Sequence, residues 1–313
     1  MHQAERPLLA IALRLAAMSM LSTMFMFMKL LGENGVSMPE TIFWRQAMSV
    51  PLLLGWLFAT GRLRLLATRR LKAHATRSVI GTMGLVCNVG AAVLLPLPVA
   101  TTLGFTGPLF AVLITALVLH QTVGKWRWTA VALGFAGVLI IAQPGSSDIP
   151  PMGLVFGLGA GVVVATVSFQ IRDLARTDAP IACVFWFAMF GALITAALLP
   201  FYSQPHEPRV WLLLVGTGAA GTLAQTLMTT SLRYGQVATV VVMDYTSLIW
   251  STTWGWLIFA DLPPTATWLG APVIITAGII ITWREHVLAR NISATSALDE
   301  GSIEQASARS RGT

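Results

Sequence analysis

Ten apolar stretches, each long enough to cross a lipid bilayer, follow one another between Leu8 and Trp283. A hydrocarbon core about 30 Å thick is crossed by about 20 helical residues. Because lipid offers the backbone no hydrogen-bonding partners, such stretches form helices or a closed barrel. Barrel strands have about 10 residues of alternating polarity, and these stretches are longer and more uniformly apolar. The sequence therefore predicts an all-α polytopic membrane protein, with spans at 8–31, 39–60, 76–95, 98–120, 126–143, 152–171, 180–201, 210–232, 236–259 and 264–283.

The composition leaves little chain for a water-soluble domain. Hydrophobic residues make up 55% of the chain and charged residues 11%, whereas a soluble domain carries about 25% charged residues. The first apolar stretch is longer than the core of about 7–15 residues in a cleaved signal peptide, so we interpret it as a retained helix. The polar segment 286–313 lacks apolar periodicity, and we expect it to be a disordered tail.

Lysine and arginine residues fall almost entirely on one side of the predicted membrane. If the N-terminus is cytoplasmic, 16 of the 20 lie on the cytoplasmic side, in loops, in termini or at the cytoplasmic end of a span, and only Arg209 lies in an opposite loop. The other three, Arg14, Lys29 and Arg45, lie within spans. This positive-inside pattern predicts a multi-pass protein of a bacterial-type cytoplasmic (inner) membrane with both termini cytoplasmic. The net charge of +7 is then a topology signal, and no nucleic-acid partner is expected.

Matching landmarks recur about 140 residues apart along the chain. Val99-Ala100-Thr101 matches Val237-Ala238-Thr239, and Trp128 matches Trp268. That period covers five helices, and an odd number places the second half in the membrane in the opposite orientation. Inverted repeats are typical of secondary transporters, whose substrate site lies near the midplane between the halves. We predict a five-helix repeat at 1–145, a second at 146–285 and the tail at 286–313.

Several of these motifs resemble those of the drug/metabolite transporter superfamily, EamA type. They are Lys29-Leu30-Leu31, Phe43-Trp44-Arg45, the segment PLPVATTLGFTGPLF, Tyr245 and the segment FADLPP. The resemblance covers nearly all of residues 8–283 and implies a ten-helix, 5+5 inverted-repeat carrier for small organic solutes. The family usually has a Glu after helices 4 and 9, where this chain has Gln121 and Asp261. The first difference removes a charge, and the second keeps it.

Two residues of opposite charge lie deep in predicted spans. Asp244 is eight residues into the ninth span and Arg45 is six residues past Pro39, so they lie about 12 Å and about 9 Å from opposite faces. A buried charge costs about 2.5 kcal/mol or more at a helix centre and needs a reason. One hypothesis is a structural ion pair between them. The other is a split site, in which Arg45 binds a carboxylate and Asp244 binds an ammonium group or a proton.

Five further residues are candidates for the substrate site. Trp44, Tyr245 and Trp250 present aromatic faces, which can hold an organic cation near a carboxylate, although packing explains them equally well. Asn88 is an uncharged polar group within a span and is expected to line a cavity. Lys29 either reaches the site or extends its ammonium group to the membrane interface. Arg14, near the cytoplasmic end of its span, is also expected to extend its charged group to the membrane interface.

The favoured function is a secondary active transporter that moves a small organic metabolite by alternating access, with an amino acid or related zwitterion as substrate. The alternative is a proton-coupled exporter of cationic or amphipathic drugs. A channel and a non-transporting membrane receptor or assembly protein are the further classes. No HExxH motif or nucleophile elbow indicates an enzyme, and no metal or cofactor is expected. The expected partners are the substrate, lipid and, as a candidate coupling ion, the proton; the sequence does not indicate an oligomeric state.

Overall fold

The computed structural model describes residues 7–143, 149–174, 176–234 and 242–283, and all regular structure in those ranges is helical. The predicted tail, and the first part of the predicted ninth span, lie outside the described residues. The α-helices are α1 (Pro7–Glu33), α2 (Met38–Ala59), α3 (Leu71–Leu94), α4 (Leu97–Gly104), α5 (Gly107–Leu117), α6 (Lys125–Ala142), α7 (Pro151–Leu174), α8 (Pro180–Ala196), α9 (Leu199–Tyr202), α10 (Pro208–Tyr234), α11 (Ser247–Phe259) and α12 (Thr265–Trp283), with 3-10 turns at Leu63–Leu66 and Met243–Thr246.

Length and composition make the described helices suited to a bilayer. Eight segments of the described ranges are long and apolar enough to cross it, and α8 is a shorter apolar helix. Large apolar side chains such as Leu8, Phe58 and Leu212 are more than 70% exposed on the outer surface. So many exposed large apolar side chains are unusual in a soluble monomer and suit contact with lipid. The protein is therefore an all-α, multi-pass membrane protein, while the count of ten helices and the inverted repeat stay predictions.

Two helix boundaries differ from the predicted spans in ways that bear on the site. α3 begins at Leu71, five residues before the predicted span, so Arg77 lies in its second turn. The predicted fourth span is broken at Phe105 and Thr106 into α4 and α5. Pro108 lies in the first turn of α5, where its missing N–H costs no helical hydrogen bond. The break turns Phe105 toward the centre of the bundle, where it contributes to the cavity described below.

Helices from the two predicted repeats pack against one another. α1 lies along α10, α2 along α8 and α3 along α7. At the centre, Met24 of α1 packs with Leu85 of α3 and Phe187 of α8. α6 packs against α12 where Gly137 meets Gly270, so closely that a Cβ at either glycine would overlap the partner backbone. Small residues permit such close approach between membrane helices. The α6–α12 pair takes no part in the central cavity.

Candidate substrate site

A cavity of about 380 Å³ lies between the two predicted repeats. Its wall is formed by α1, α2, α3 and α4 on one side and by α7, α8, α10 and the segment around Asp244 on the other. Small-molecule sites have volumes of about 300–1,000 Å³ and mostly apolar walls with a few polar groups that orient the ligand. This wall fits that description. Its charged and amide groups are Arg45, Arg77, Asn88, Gln225 and Asp244.

Asp244 forms a bidentate ion pair with Arg14. The Nε and Nη2 atoms of Arg14 donate to the two carboxylate oxygens at 2.5 and 2.6 Å. Nη1 donates to the carbonyl of Met228 in α10 at 3.4 Å. Arg14 is only 4% exposed, so the prediction that it extends to the interface is wrong. The carboxylate of Asp244 within reach favours pairing over extension to the interface, because an isolated buried charge costs on the order of several kcal/mol. The pair connects α1 to the 3-10 turn before α11.

Arg45 reaches the same cavity but has no acidic partner among the described residues. Its Nη1 donates to Oε1 of Gln46 at 2.6 Å, and its Nε contacts the sulfur of Met24 at 3.4 Å. Gln46 in turn donates from Nε2 to the carbonyl of Phe187 in α8 at 3.2 Å. The hypothesised ion pair between Arg45 and Asp244 is therefore not formed in this structure. Arg45 is 4% exposed, so its charge is almost fully withdrawn from solvent.

Arg77, one of the 16 basic residues that the sequence places on the cytoplasmic side, is a cavity residue. It is 6% exposed, and its Nη1 donates to the carbonyl of Cys183 in α8 at 3.3 Å. Its Nε is buried and has no hydrogen-bond partner among the residues that the structure describes. A helical repeat of small or polar residues along α3 could have indicated this position: Arg77, Gly81, Gly84, Asn88 and Ala91 share one face and all line the cavity.

Of four other predicted site residues, one lines the cavity and three do not. Asn88 lines the cavity, and its Nδ2 donates to the carbonyl of Gly84 at 2.9 Å. Trp44 and Tyr245 do not line the cavity: Trp44 packs edge-on against Trp211 at 5.0 Å between ring centres, and Tyr245 packs edge-on against Phe105 at 4.9 Å. Trp250 is 37% exposed on the outer surface. Only Asn88 among these four is thus brought together with Arg45 and Asp244.

Lys29 occupies a contact between α1 and the ends of α3 and α11, away from the cavity wall. Its Nζ donates to the carbonyl of Leu95 at 3.3 Å and lies 3.7 Å from a carboxylate oxygen of Asp261. It also lies 4.8 Å from the ring centre of Phe259. Lys29 is 8% exposed, so it does not extend freely to the interface. Asp261, at the position where the family usually has Glu, supplies the counter-charge.

Polar contacts join the two predicted repeats at both ends of the bundle. Where α3 begins, Thr68 and His74 each lie 2.7 Å from a carboxylate oxygen of Asp178, and Arg70 pairs with Asp173. Burial raises the pKa of Asp178, but its hydrogen bonds to Thr68 and His74 outweigh burial and hold the pKa below the usual value. These contacts fasten the start of α3 to the loop between α7 and α8.

At the other end, where α2 begins, the buried Glu40 joins α2 to the loop after α9. Its Oε1 lies 3.0 Å from Nε2 of His206 and accepts from the hydroxyl of Ser203 at 3.2 Å. Ser37 caps α2 by accepting from the backbone N–H of Glu40, and its hydroxyl donates to the carbonyl of Tyr202 at 3.3 Å. The cavity therefore lies between two sets of polar contacts, each of which links the repeats.

A helical membrane bundle around a central cavity with buried charges is the arrangement typical of membrane transporters for small molecules. The EamA-like transporter family model matches this chain twice, over residues 8–143 and 151–284. The chain therefore belongs to the EamA-like transporter family.

Relatives in that family carry transporter names. A riboflavin transporter of Vibrio cholerae is 30% identical over 239 residues, covering 75% of this chain and 80% of the relative. The pseudopaline exporter CntI of Pseudomonas aeruginosa is 27% identical, with 81% and 89% covered. An S-adenosylmethionine uptake transporter of Rickettsia felis is 24% identical, with 79% and 83% covered. The chain is accordingly a small-molecule transporter.

A solved crystal structure supports the fold. It aligns with a TM-score of 0.57 at 18% sequence identity, covering 88% of this chain and 98% of the other. At that identity the likeness concerns the fold alone.

Proposed function

We propose that the protein is a secondary active transporter that moves a small organic metabolite through the central cavity by alternating access. The observation that carries this proposal is the cavity itself, which is walled by helices of both predicted repeats and contains buried charged groups. A site between two repeats can be exposed to either side when one repeat rocks against the other. The direction of transport in the relatives differs, since their names include both an exporter and an uptake transporter.

The polar contacts at the two ends of the bundle suit such a cycle. The Thr68–His74–Asp178 contacts and the Glu40–His206 contact each join one repeat to the other. In alternating access, one set opens while the other stays closed. We place the Asp178 end in the cytoplasm of a bacterial-type inner membrane, because the basic residues of the loop between α2 and α3 favour that side.

The substrate class follows from the charges at the cavity. Arg45 supports the carboxylate half of the expected zwitterion, because it lies in the wall without an acidic partner in the described ranges. Support for the amine half is weaker, because Arg14 already occupies both oxygens of Asp244. An amine at Asp244 would have to share the carboxylate with Arg14 or displace it. We therefore favour a substrate that bears a carboxylate, with an amino acid as one member of that class.

A second candidate property, proton coupling at Asp244, is favoured by the same ion pair. Protonation of Asp244 would remove the charge that holds Arg14, and the link between α1 and the turn before α11 would weaken. A proton taken up in one orientation of the carrier and released in the other would then couple its gradient to transport.

The test of transport is counterflow in proteoliposomes. Vesicles that contain the purified protein are loaded with an unlabelled mixture of amino acids and organic acids, and labelled members are added outside one at a time. A carrier accumulates label transiently above equilibrium, whereas a channel only equilibrates it and a receptor does neither. Repeating the assay with an imposed pH gradient tests coupling, because the Asp244→Asn variant should lose any response to that gradient. An unchanged response would assign Asp244 a structural or substrate-binding role alone.

A further inference from the structure

Two arginine side chains converge on one aromatic ring at the cavity. The guanidinium carbon of Arg77 lies 4.4 Å from the ring centre of Phe187, and that of Arg45 lies 5.8 Å from it. They come from different helices, α3 and α2, and Phe187 belongs to α8. All three side chains contribute to the cavity wall. The ring therefore marks the place where two positive charges come together inside the membrane.

Neither guanidinium has a counter-charge among the described residues. The hydrogen bonds of Arg45 go to a side-chain amide and a thioether, and that of Arg77 goes to a backbone carbonyl. Asp244, the acidic residue in the wall, is held by Arg14. Two buried cations without an anion are costly, because burial removes solvation that nothing repays. An anion from outside the chain would supply the missing counter-charge.

The donor geometry of the two arginines leaves groups free for such an anion. A guanidinium has five N–H donors in one plane. Arg45 uses Nε and Nη1, and Arg77 uses Nη1, while the buried Nε of Arg77 has no partner in the described ranges. Gln46 fixes the orientation of Arg45 through its bond to the backbone of Phe187. Planar N–H pairs match the two oxygens of a carboxylate or the oxygens of a phosphate.

We propose that Arg45 and Arg77 form one oxyanion site, which holds the carboxylate or phosphate group of the transported molecule beside Phe187. The apolar body of the molecule lies against the remaining wall, which includes Phe25 and Phe105. The substrate is then an amphipathic organic acid rather than an organic cation. This proposal deepens the proposed transport function and rests on it for the use of the site, but binding itself is measurable without transport.

The experiment measures binding to the purified full chain in detergent, as the rise in unfolding temperature caused by added ligand. The probes are benzoate, phenyl phosphate and benzylamine, which share a ring and differ in charge. The two anions are expected to raise the unfolding temperature at millimolar concentration and benzylamine is not. A response to benzoate alone or phenyl phosphate alone identifies the oxyanion that the site prefers. Equal stabilisation by the amine, or none by either anion, overturns the proposal.

Variants of the two arginines locate the binding. Arg45→Gln and Arg77→Gln are each expected to weaken the apparent affinity for the anions about tenfold or more, because each removes charged hydrogen bonds. Arg45→Lys and Arg77→Lys, which keep the charge and lose the planar donors, should fall between these and the wild type. Arg209→Gln, at an exposed position, is the matched control and should bind as the wild type does.

Unchanged anion binding in both glutamine variants would overturn the proposal. If a glutamine variant fails to elute as a monodisperse peak in gel filtration, the corresponding lysine variant decides the question. If the wild-type protein binds the anions but shows no counterflow, the proposed transport function is overturned and the oxyanion site stands.

Discussion

Two sets of buried charges lie at the cavity, and they differ in whether a counter-charge is present. Arg14 and Asp244 neutralise each other through two hydrogen bonds. Arg45 and Arg77 lie beside one ring with only neutral partners in the part of the chain that the structure describes. The first set satisfies its own electrostatics and connects two parts of the bundle. The second set lacks a counter-charge in the described residues. A buried charge without one indicates that an anion from outside the chain binds there.

This difference provides a way to distinguish charged residues that stabilise the fold from charged residues that bind the substrate. Removing one member of a self-neutralised pair leaves the other uncompensated, so stability is lost first. Removing one member of an unpaired cationic set relieves repulsion and loses ligand binding instead. The same kind of substitution should therefore give opposite effects on stability at the two places.

The largest effect is expected for Asp244→Asn. This change leaves Arg14 buried without a counter-charge, and breaking such a pair costs about 3–5 kcal/mol in soluble proteins. The unfolding temperature in detergent should fall markedly. The double variant Arg14→Met with Asp244→Leu, which removes both charges, should recover most of that loss. If the single variant unfolds as the wild type does, the ion pair is not a structural connection.

A large effect on transport is also expected from exchanging charges. The exchange Arg14→Asp with Asp244→Arg should restore folding, because the pair is re-formed with reversed polarity. The exchange Arg45→Asp with Asp244→Arg should not restore transport, because Arg45 is not the partner of Asp244. Counterflow rates of the two double variants decide between the pairings. Recovered transport in the second exchange would indicate that Arg45 and Asp244 pair during the cycle.

A moderate effect is expected at the contact of Asp178 with the start of α3. Because its pKa in the folded protein is held below the usual value, Asp178 contributes stability above the unfolded pKa of about 3.9. That contribution is lost as the pH falls through the lower, folded pKa. The difference in unfolding temperature between wild type and Asp178→Asn should thus be largest near neutral pH and shrink toward acid pH. A difference that does not vary with pH would contradict this assignment.

The smallest effect is expected for Trp250, which was a candidate for the site. It is 37% exposed on the outer surface and does not line the cavity. Trp250→Leu should change the counterflow rate by less than about twofold, as is usual for surface substitutions. The cavity residue Asn88 gives the comparison, since Asn88→Leu should reduce transport more. A strong effect at Trp250 would place the substrate path elsewhere.

Much of the helical framework could be predicted from the sequence. The predicted spans 39–60 and 180–201 begin within one residue of α2 and α8, because apolar length alone decides which segments leave water. The membrane depth of Arg45 and Asp244, which the sequence predicts from their distance to the span ends, stays a prediction. Both residues do line one cavity, whereas their role toward a substrate stays a prediction.

Which charged side chains pair with one another depended on the tertiary structure. Arg14 and Asp244 are 230 residues apart in the chain, and no spacing rule connects them. Arg77 was counted with the basic loop because it is only the second residue of the predicted span 76–95, whereas α3 begins at Leu71 and places it in the second turn. Trp250 seemed as central as Asp244 because they share a predicted span. Hydropathy determines how deep a residue lies. The rotation of each helix about its axis, which only packing against the other helices sets, determines whether that residue faces the cavity, a partner or lipid.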